Sequence, residues 1–319
     1  MFENPTFEQK EKPFDLENWL ALEFKTQYET KAKILNRLGL LEILPEKQEI
    51  GILGIDGKEY PFPEMEVIEQ EFRKNKELFE TKMAQGFTEL EITPFGMPLN
   101  RLIETLKQQL LKHSREGKLF HTKKNQTDSN ETLKPFALDD ENPLNVWDKY
   151  VGADENGELV YDAKEFSQNH QGKTKLQMID SQESSPGFLI TLREKNLNIP
   201  RECKGEMKNG RKQLETNKTP REYLQMILSQ EMYQGELGQT PEEWLTEFLT
   251  HLEQTNQVID DWQENGSASF QLGGYFHASD GVPYCVSVRD HRRAYLDGVD
   301  PGSRLGSVGV RSAVRVNGI

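Results

Sequence analysis

The first third of the chain carries apolar residues at helical spacing. Between residues 14 and 44 they recur every three or four positions, which predicts an amphipathic helix, and Asp15 is placed to cap its start. Residues 64–83, rich in Glu and Lys, and residues 100–112, with one stripe of Leu and Ile, predict two further helices. We therefore expect residues 1–112 to form a mainly helical N-terminal region.

Two stretches interrupt this pattern. Residues 49–60 contain the pair Asp56-Gly57, which is typical of a tight turn, so a small hairpin is expected there. Residues 113–134 contain almost no core-forming side chains, which indicates a linker or long loop. The predicted domain boundary lies in this second stretch.

Short apolar stretches between Gly, Asn and Asp residues dominate the chain from residue 135 onwards. They predict strands at residues 135–138, 144–147, 158–161 and 187–192. Two helices follow, and each begins with Thr as the capping residue, Pro at the first helical position and Glu at the third, at residues 219–222 and 240–243. Strands, two helices and a β-rich tail indicate an α+β fold class.

The chain closes on an alternating stretch at residues 309–316, which predicts a final strand. Alternation places Val310, Val314 and Val316 on one face and Arg311, Ala313 and Arg315 on the other. We expect one face to pack on the core and the other to be solvated.

The tail has an unusual composition. Residues 272–319 contain no Lys, Glu, Gln, Met or Trp, whereas Lys, Glu and Gln are abundant elsewhere. Burial excludes Lys, Glu and Gln, but it also excludes Arg and Asp, and the tail has six Arg and four Asp. Burial alone therefore explains the missing Lys, Glu and Gln but not the presence of Arg and Asp.

Charge and cysteine usage exclude several classes of protein. The net charge of −14 argues against a general binder of nucleic acid or anionic membranes. No apolar run approaches the roughly 20 residues that cross a bilayer, and the N-terminus has no secretory-signal pattern, so the default expectation is a cytoplasmic protein. The two cysteines, Cys203 and Cys285, form no disulfide framework and lack metal-ligand spacing.

The tail resembles the variable region of a known family. The segments GGYFHASDG, VSVRDHRRAYLDGVDPGSRLGS and VGVRSAVRV, all within residues 273–316, are similar to the target proteins of diversity-generating retroelements. The resemblance is good over residues 240–319, looser over residues 135–239, and absent from residues 1–130. It implies a C-type lectin-like domain of the formylglycine-generating-enzyme subtype at residues 135–319, with a variable region at about residues 276–316.

The resemblance also implies a reason for the missing residues. In that family, adenines of a template copy are mutated, and replacement in Asn codons yields fifteen residue types that exclude Lys, Glu, Gln, Met and Trp. The family alternates fixed framework positions with variable, ligand-facing ones. The framework candidates are Phe276, Ala278, Val286, Val288, Ala294, Leu296, Pro301, Arg304 and the closing strand. The variable candidates are Tyr284, Cys285, Arg289, Asp290, His291, Arg293, Tyr295, Asp297, Val299, Asp300, Ser303, Leu305, Ser307 and Val308.

Three other sites are conceivable from the sequence, and none has its full pattern. Cys285, His291 and Asp290 would suit a nucleophile system, but no elbow or oxyanion glycines accompany them. Residues 154–158 look like a calcium loop but lack its full spacing, so a turn is expected there. Residues 273–274 precede no helix and are not expected to bind phosphate.

The function expected from the sequence is recognition without catalysis, and no cofactor or metal is expected. The ligand is expected to be a protein or a cell-surface molecule, and the pattern indicates no nucleic acid and no membrane insertion. Tyr and Arg, which often carry binding energy, recur among the variable candidates. The alternatives are an oxidase of the formylglycine-generating type acting at Cys285 and an adhesin of a phage or cell surface without diversification.

Overall fold

The computed structural model of the protein describes residues 14–124, 130–182, 184–262, 264–288 and 290–317, which form a mixed α+β fold with several sheets. This confirms the α+β class. Among these residues, no helix is long and apolar enough to cross a bilayer.

The N-terminal helices follow the predicted pattern. The first consists of α1 (Leu16–Trp19), a π-helical turn (Leu20–Phe24) and α2 (Lys25–Arg37). The Asp15 carboxylate accepts a hydrogen bond from the backbone N–H of Asn18 at 3.0 Å, which confirms the predicted cap. The further helices of this part are α3 (Met65–Lys74), α4 (Lys76–Ala84) and α5 (Leu99–Arg115).

A small antiparallel sheet lies between these helices. Its strands, in the order of the sheet, are β1 (Glu42–Ile43), β2 (Ile50–Leu53) and β3 (Glu59–Pro61). The turn between the last two has Gly57 at φ +75°, a conformation that glycine adopts without strain. The predicted hairpin is therefore confirmed.

The second part of the chain contains the two helices with predicted Thr-Pro starts. They are α8 (Pro220–Ser229) and α9 (Pro241–Thr255), and both have complete capping boxes. Two shorter helices were not predicted, α6 (Ala153–Asn156) and α7 (Lys175–Asp180).

A four-stranded antiparallel sheet joins the two parts of the chain. In sheet order its strands are β10 (Glu236–Gly238), β16 (Ser312–Arg315), β7 (Leu189–Glu194) and β4 (Phe87–Thr93). The last of these comes from the predicted helical region, and the sequence pattern did not predict it.

A five-stranded sheet holds most of the tail. In sheet order its strands are β15 (Val308–Val310), β11 (Ala268–Phe270), β13 (Val282–Val288), β14 (Arg293–Val299) and β5 (Leu144–Val146). Two smaller pairs complete the strands, β12 (Gly274–Phe276) with β6 (Leu159–Tyr161) and β8 (Met207–Lys208) with β9 (Arg211–Lys212). The strand predicted at residues 135–138 is not formed, and Pro135 takes part only in an isolated bridge to Phe120.

The predicted closing strand is wrong in two respects. Residues 308–310 pair in the five-stranded sheet and residues 312–315 in the four-stranded one, so the chain changes sheet at Arg311. The predicted solvated face is also buried: the Arg311 and Arg315 side chains are 9% and 10% exposed. Each forms an ion pair, Arg311 with Asp260 and Arg315 with Asp162.

The predicted linker does not coincide with a break in the core. One hydrophobic cluster contains residues from both sides of it, and α5 packs against α9. Within the linker, the Phe120 backbone bonds to Asn256, and His121 lies 2.9 Å from the Asp261 carboxylate. Residues 113–124 are therefore fixed to the same core.

Candidate functional site

The candidate site lies on the hairpin formed by β13 and β14. Its register places Val282 opposite Val299, Tyr284 opposite Asp297, Val286 opposite Tyr295 and Val288 opposite Arg293. Because side chains alternate along a strand, these eight residues share one face, which we call the outer face of the hairpin. Five of the predicted variable residues lie on it: Tyr284, Arg293, Tyr295, Asp297 and Val299.

The opposite face of the hairpin packs into the main core. Cys285 pairs with Leu296 and Ser287 with Ala294, and all four are buried. The prediction that Cys285 faces a ligand is therefore wrong, because its side chain lies on the face of the strand that packs into the core. Its thiol lies 2.9 Å from the Gln271 side-chain oxygen, and burial, with the nearby Asp260 carboxylate, raises its pKa well above the usual value.

The outer face is covered unevenly. Near β11 and β15 it is buried beneath α8, whose Tyr223 ring lies 6.4 Å from the ring of Phe270. Tyr284, Tyr295 and Val299 lie at the margin of this cluster and are only partly buried. The face thus offers half-buried aromatic and polar side chains beside three buried residues, Val282, Val286 and Val288.

The turn of the hairpin carries further predicted residues. Asp290 and His291 are exposed, and the His291 Nδ1 lies 2.8 Å from the Tyr295 hydroxyl. The Arg293 guanidinium forms an ion pair with Asp139. Arg289 was also predicted to vary, but it lies outside the described residues.

Residues 300–307 connect β14 to β15 and extend the exposed surface. Asp300 and Leu305 are exposed, whereas Ser303 and Ser307 are half-buried. Val308 was predicted to face a ligand, but it is buried because it begins β15 and pairs with Ala268. That prediction is wrong.

Contacts with α8 and with Trp262 hold this loop in place. The Arg304 guanidinium donates to the Asn217 carbonyl at 2.8 Å and pairs with Glu222 near the start of α8. The Trp262 indole N–H donates to the Ser307 hydroxyl at 2.7 Å. The Arg221 backbone N–H donates to the Pro301 carbonyl at 3.2 Å.

Most of the framework candidates are buried, and two are exposed. Phe276, Val286, Val288, Ala294, Leu296 and Pro301 are buried. Ala278 and Arg304 are exposed, Ala278 because it lies in the turn after β12 and Arg304 because it pairs across the surface. Arg304 nonetheless has fixed partners.

Trp262 is the residue of this surface that sequence reasoning missed. Its side chain is 39% exposed, and its backbone N–H donates to the Ser287 carbonyl beside the hairpin. The signal was a single Trp in the polar stretch DDWQEN, because an exposed Trp commonly marks an interaction surface.

The structure does not bring together the residues that were considered for a nucleophile system. Cys285 faces the core, whereas His291 contacts Tyr295 on the outer face, so the two are separated by the hairpin. The second cysteine, Cys203, is exposed and free, as is expected for a loop thiol. Within the described residues, no group of three or more His, Cys, Asp or Glu side chains is arranged to hold a metal ion.

Gly274 and Asp154, from the stretches considered for phosphate and calcium binding, both have structural contacts. A Cβ at Gly274 would come within 2.9 Å of Pro241 at the start of α9, so this glycine permits close packing of strand on helix. Asp154 lies in α6 rather than in a plain turn, and its carboxylate binds the buried Lys175 ammonium at 2.7 Å.

The comparisons with known proteins add no further assignment. No protein-family model, no curated protein and no solved structure matches the chain significantly.

Proposed function

We propose that the protein is a ligand-recognition protein whose outer hairpin face and loop 300–307 form a binding surface diversified by a retroelement. The C-terminal part is then a C-type lectin-like domain of the formylglycine-generating-enzyme subtype. The fold name does not determine the ligand, which we expect to be a protein or a cell-surface molecule.

The observation that carries the proposal is the coincidence of two independent patterns. The segment without Lys, Glu, Gln, Met and Trp contains the hairpin, and five predicted variable residues lie on one face of it. Side chains on that face can change while the inward Cys285, Ala294 and Leu296 keep the sheet packed. A rigid sheet with replaceable outward side chains is what diversified recognition requires.

The chemistry of the surface supports recognition of a macromolecule. Tyr284, Tyr295 and Trp262 supply rigid aromatic area, and Arg293 and Asp297 supply charge of both signs. Aromatic side chains and Arg carry most of the binding energy in many interfaces.

The oxidase alternative requires an accessible, reactive cysteine. The Cys285 side chain is fully buried, and the raised pKa of its thiol disfavours the reactive thiolate. This observation favours recognition over catalysis.

The proposal is tested by the genome that encodes the chain. We expect a near-identical repeat of the coding sequence for the tail beside a reverse transcriptase gene, with differences concentrated at adenines. The codons for Tyr284, Tyr295 and Asp297 should differ, and those for Leu296 and Ala294 should match. A complete genome without such a repeat would contradict diversification.

A further inference from the structure

A polar cleft lies on α9 and on the chain that leaves β7, among residues that the proposed recognition surface does not use. Its volume is about 380 Å³, and its lining includes Lys124, Arg193, Lys195, Asn196, His251 and Gln254. Small-molecule pockets commonly have volumes of about 300 Å³ or more, so a compact metabolite of roughly ten non-hydrogen atoms fits this space.

Arg193 lies at the base of the cleft with part of its hydrogen-bonding capacity unused. Its side chain is 7% exposed, and its Nε lies 2.9 Å from Glu247 and 3.4 Å from Glu91. On the other side of the guanidinium, Nη1 makes a long contact of 3.5 Å with the Glu194 carbonyl. The Nη1 side of the guanidinium therefore has a weaker acceptor than the Nε side, which has two carboxylates.

His251 is a second buried polar group with an unmet hydrogen bond. The residue is 8% exposed, and its Nε2 has no hydrogen-bond partner within the described part of the chain. Burial, followed by the charge of Arg193, lowers its pKa to about 3, so the imidazole is neutral at physiological pH. A neutral imidazole here can donate or accept one hydrogen bond but contributes no charge.

The rim of the cleft is cationic. Lys124 and Lys195 are both exposed and line it, and Glu89 is the acidic residue among its lining side chains. This is the reverse of the charge of the whole chain, which is −14. The two exposed lysines therefore favour an anionic ligand at the rim.

We propose that this cleft binds a small organic carboxylate, with the carboxylate group near Arg193 and the lysines and the remainder near Asn196, His251 and Gln254. A singly charged head group suits Arg193 better than a phosphate dianion, because the guanidinium already shares its charge with Glu91 and Glu247. The site does not depend on diversification of the tail.

Isothermal titration calorimetry of the full chain with succinate and glutamate, at constant ionic strength, tests this site. We expect saturable binding of at least one of them with a Kd of roughly 1 mM or below. Inorganic phosphate should bind more weakly. Stronger binding of phosphate, or no saturable heat with either carboxylate, would overturn the proposal.

Matched variants separate binding in the cleft from a general effect of charge. Lys124→Gln with Lys195→Gln should weaken binding about tenfold, because both ammonium groups line the rim and neither is buried. The control, Lys33→Gln with Lys47→Gln, makes the same change of charge at exposed positions outside the cleft and should leave the Kd unchanged. Equal weakening in both double variants would contradict a localised site.

A third pair of variants examines His251. His251→Leu should remove binding, whereas His251→Gln, which keeps a hydrogen-bonding group, should retain part of it. If both variants fail to fold, the lysine variants still decide the question.

Discussion

Arg311 and Asp260 form a bidentate ion pair inside the protein, with both Nη atoms of the guanidinium 2.8 Å from carboxylate oxygens. The pair lies where the chain leaves the five-stranded sheet and enters the four-stranded one. Burial lowers the pKa of the Arg311 guanidinium, but the carboxylates of Asp260 and Glu247 outweigh that effect and raise it. Asp260 also accepts hydrogen bonds from the Trp244 indole and the Ser269 hydroxyl, both at 2.7 Å. The pair thus links the tail to α9 and β11.

Removing the charge of Asp260 should destabilise the whole protein. Asp260→Asn leaves the Arg311 cation buried without its main partner, so we expect a loss of about 3–5 kcal/mol in the free energy of unfolding, measured in urea. The control is Glu222→Gln, which removes the exposed partner of Arg304 and should cost about 1 kcal/mol or less. Equal losses in the two variants would show that the buried pair has no special role.

Neighbouring residues of β14 should lose different amounts of stability on the same substitution. Leu296 is fully buried, so Leu296→Ser should lower the free energy of unfolding by at least about 2–5 kcal/mol. Tyr295 faces outward and is half-exposed, so Tyr295→Ser should cost about 1 kcal/mol. A larger loss for Tyr295→Ser than for Leu296→Ser would contradict the assignment of faces.

The two thiols should differ in reactivity in the native protein. Cys203 is exposed and should react rapidly with a maleimide, whereas Cys285 is buried, and the pKa of its thiol is raised by that burial. Mass spectrometry of the labelled protein should show one adduct under native conditions and two in denaturant. Rapid native labelling at Cys285 would restore the oxidase alternative.

Glu243 should make stability depend on pH. Burial raises the pKa of its carboxyl from 4.5 to about 7, despite the opposing charge of Arg315. The folded state therefore binds more protons than the unfolded state between about pH 4.5 and pH 7, and the contribution of Glu243 to stability falls as the pH rises through this window. Above pH 7 the carboxyl is ionised in the folded state, and its burial lowers the free energy of unfolding by about 3 kcal/mol, at roughly 1.4 kcal/mol per pKa unit.

The variant Glu243→Gln tests this dependence because the amide oxygen can still accept the capping hydrogen bond from Thr240. Relative to the wild type, the variant should gain stability between about pH 5 and about pH 8, as followed by urea unfolding. A constant difference between the two proteins across that range would show that Glu243 does not titrate there.

Local signals in the sequence were reliable where they depend on neighbouring residues. The capping boxes at Thr219 and Thr240, the Asp15 cap and the turn at Gly57 all involve partners within a few positions, and all are confirmed. Ala294 and Leu296, which the resemblance implied as framework positions, are also buried.

The errors concern partners that are distant in sequence. Residues 87–93 lie in the region that was predicted to be mainly helical, but they form a strand in which Glu91 is buried and lies 2.6 Å from the Lys31 ammonium. Arg311 was expected in solvent because its partner, Asp260, lies 51 positions away. Buried ion pairs of this kind leave no periodic signal.

The central claim is that the half-buried residues on the outer face of the hairpin can be replaced without loss of the fold. Two display libraries of equal size test it, one randomised at Tyr284, Tyr295, Asp297 and Val299 and the other at Cys285, Ser287, Ala294 and Leu296. The fraction of folded members is measured by resistance to protease. We predict that most outward-library members stay folded and that binders to unrelated proteins can be selected from them, whereas most inward-library members are degraded. Equal degradation of the two libraries would contradict the account.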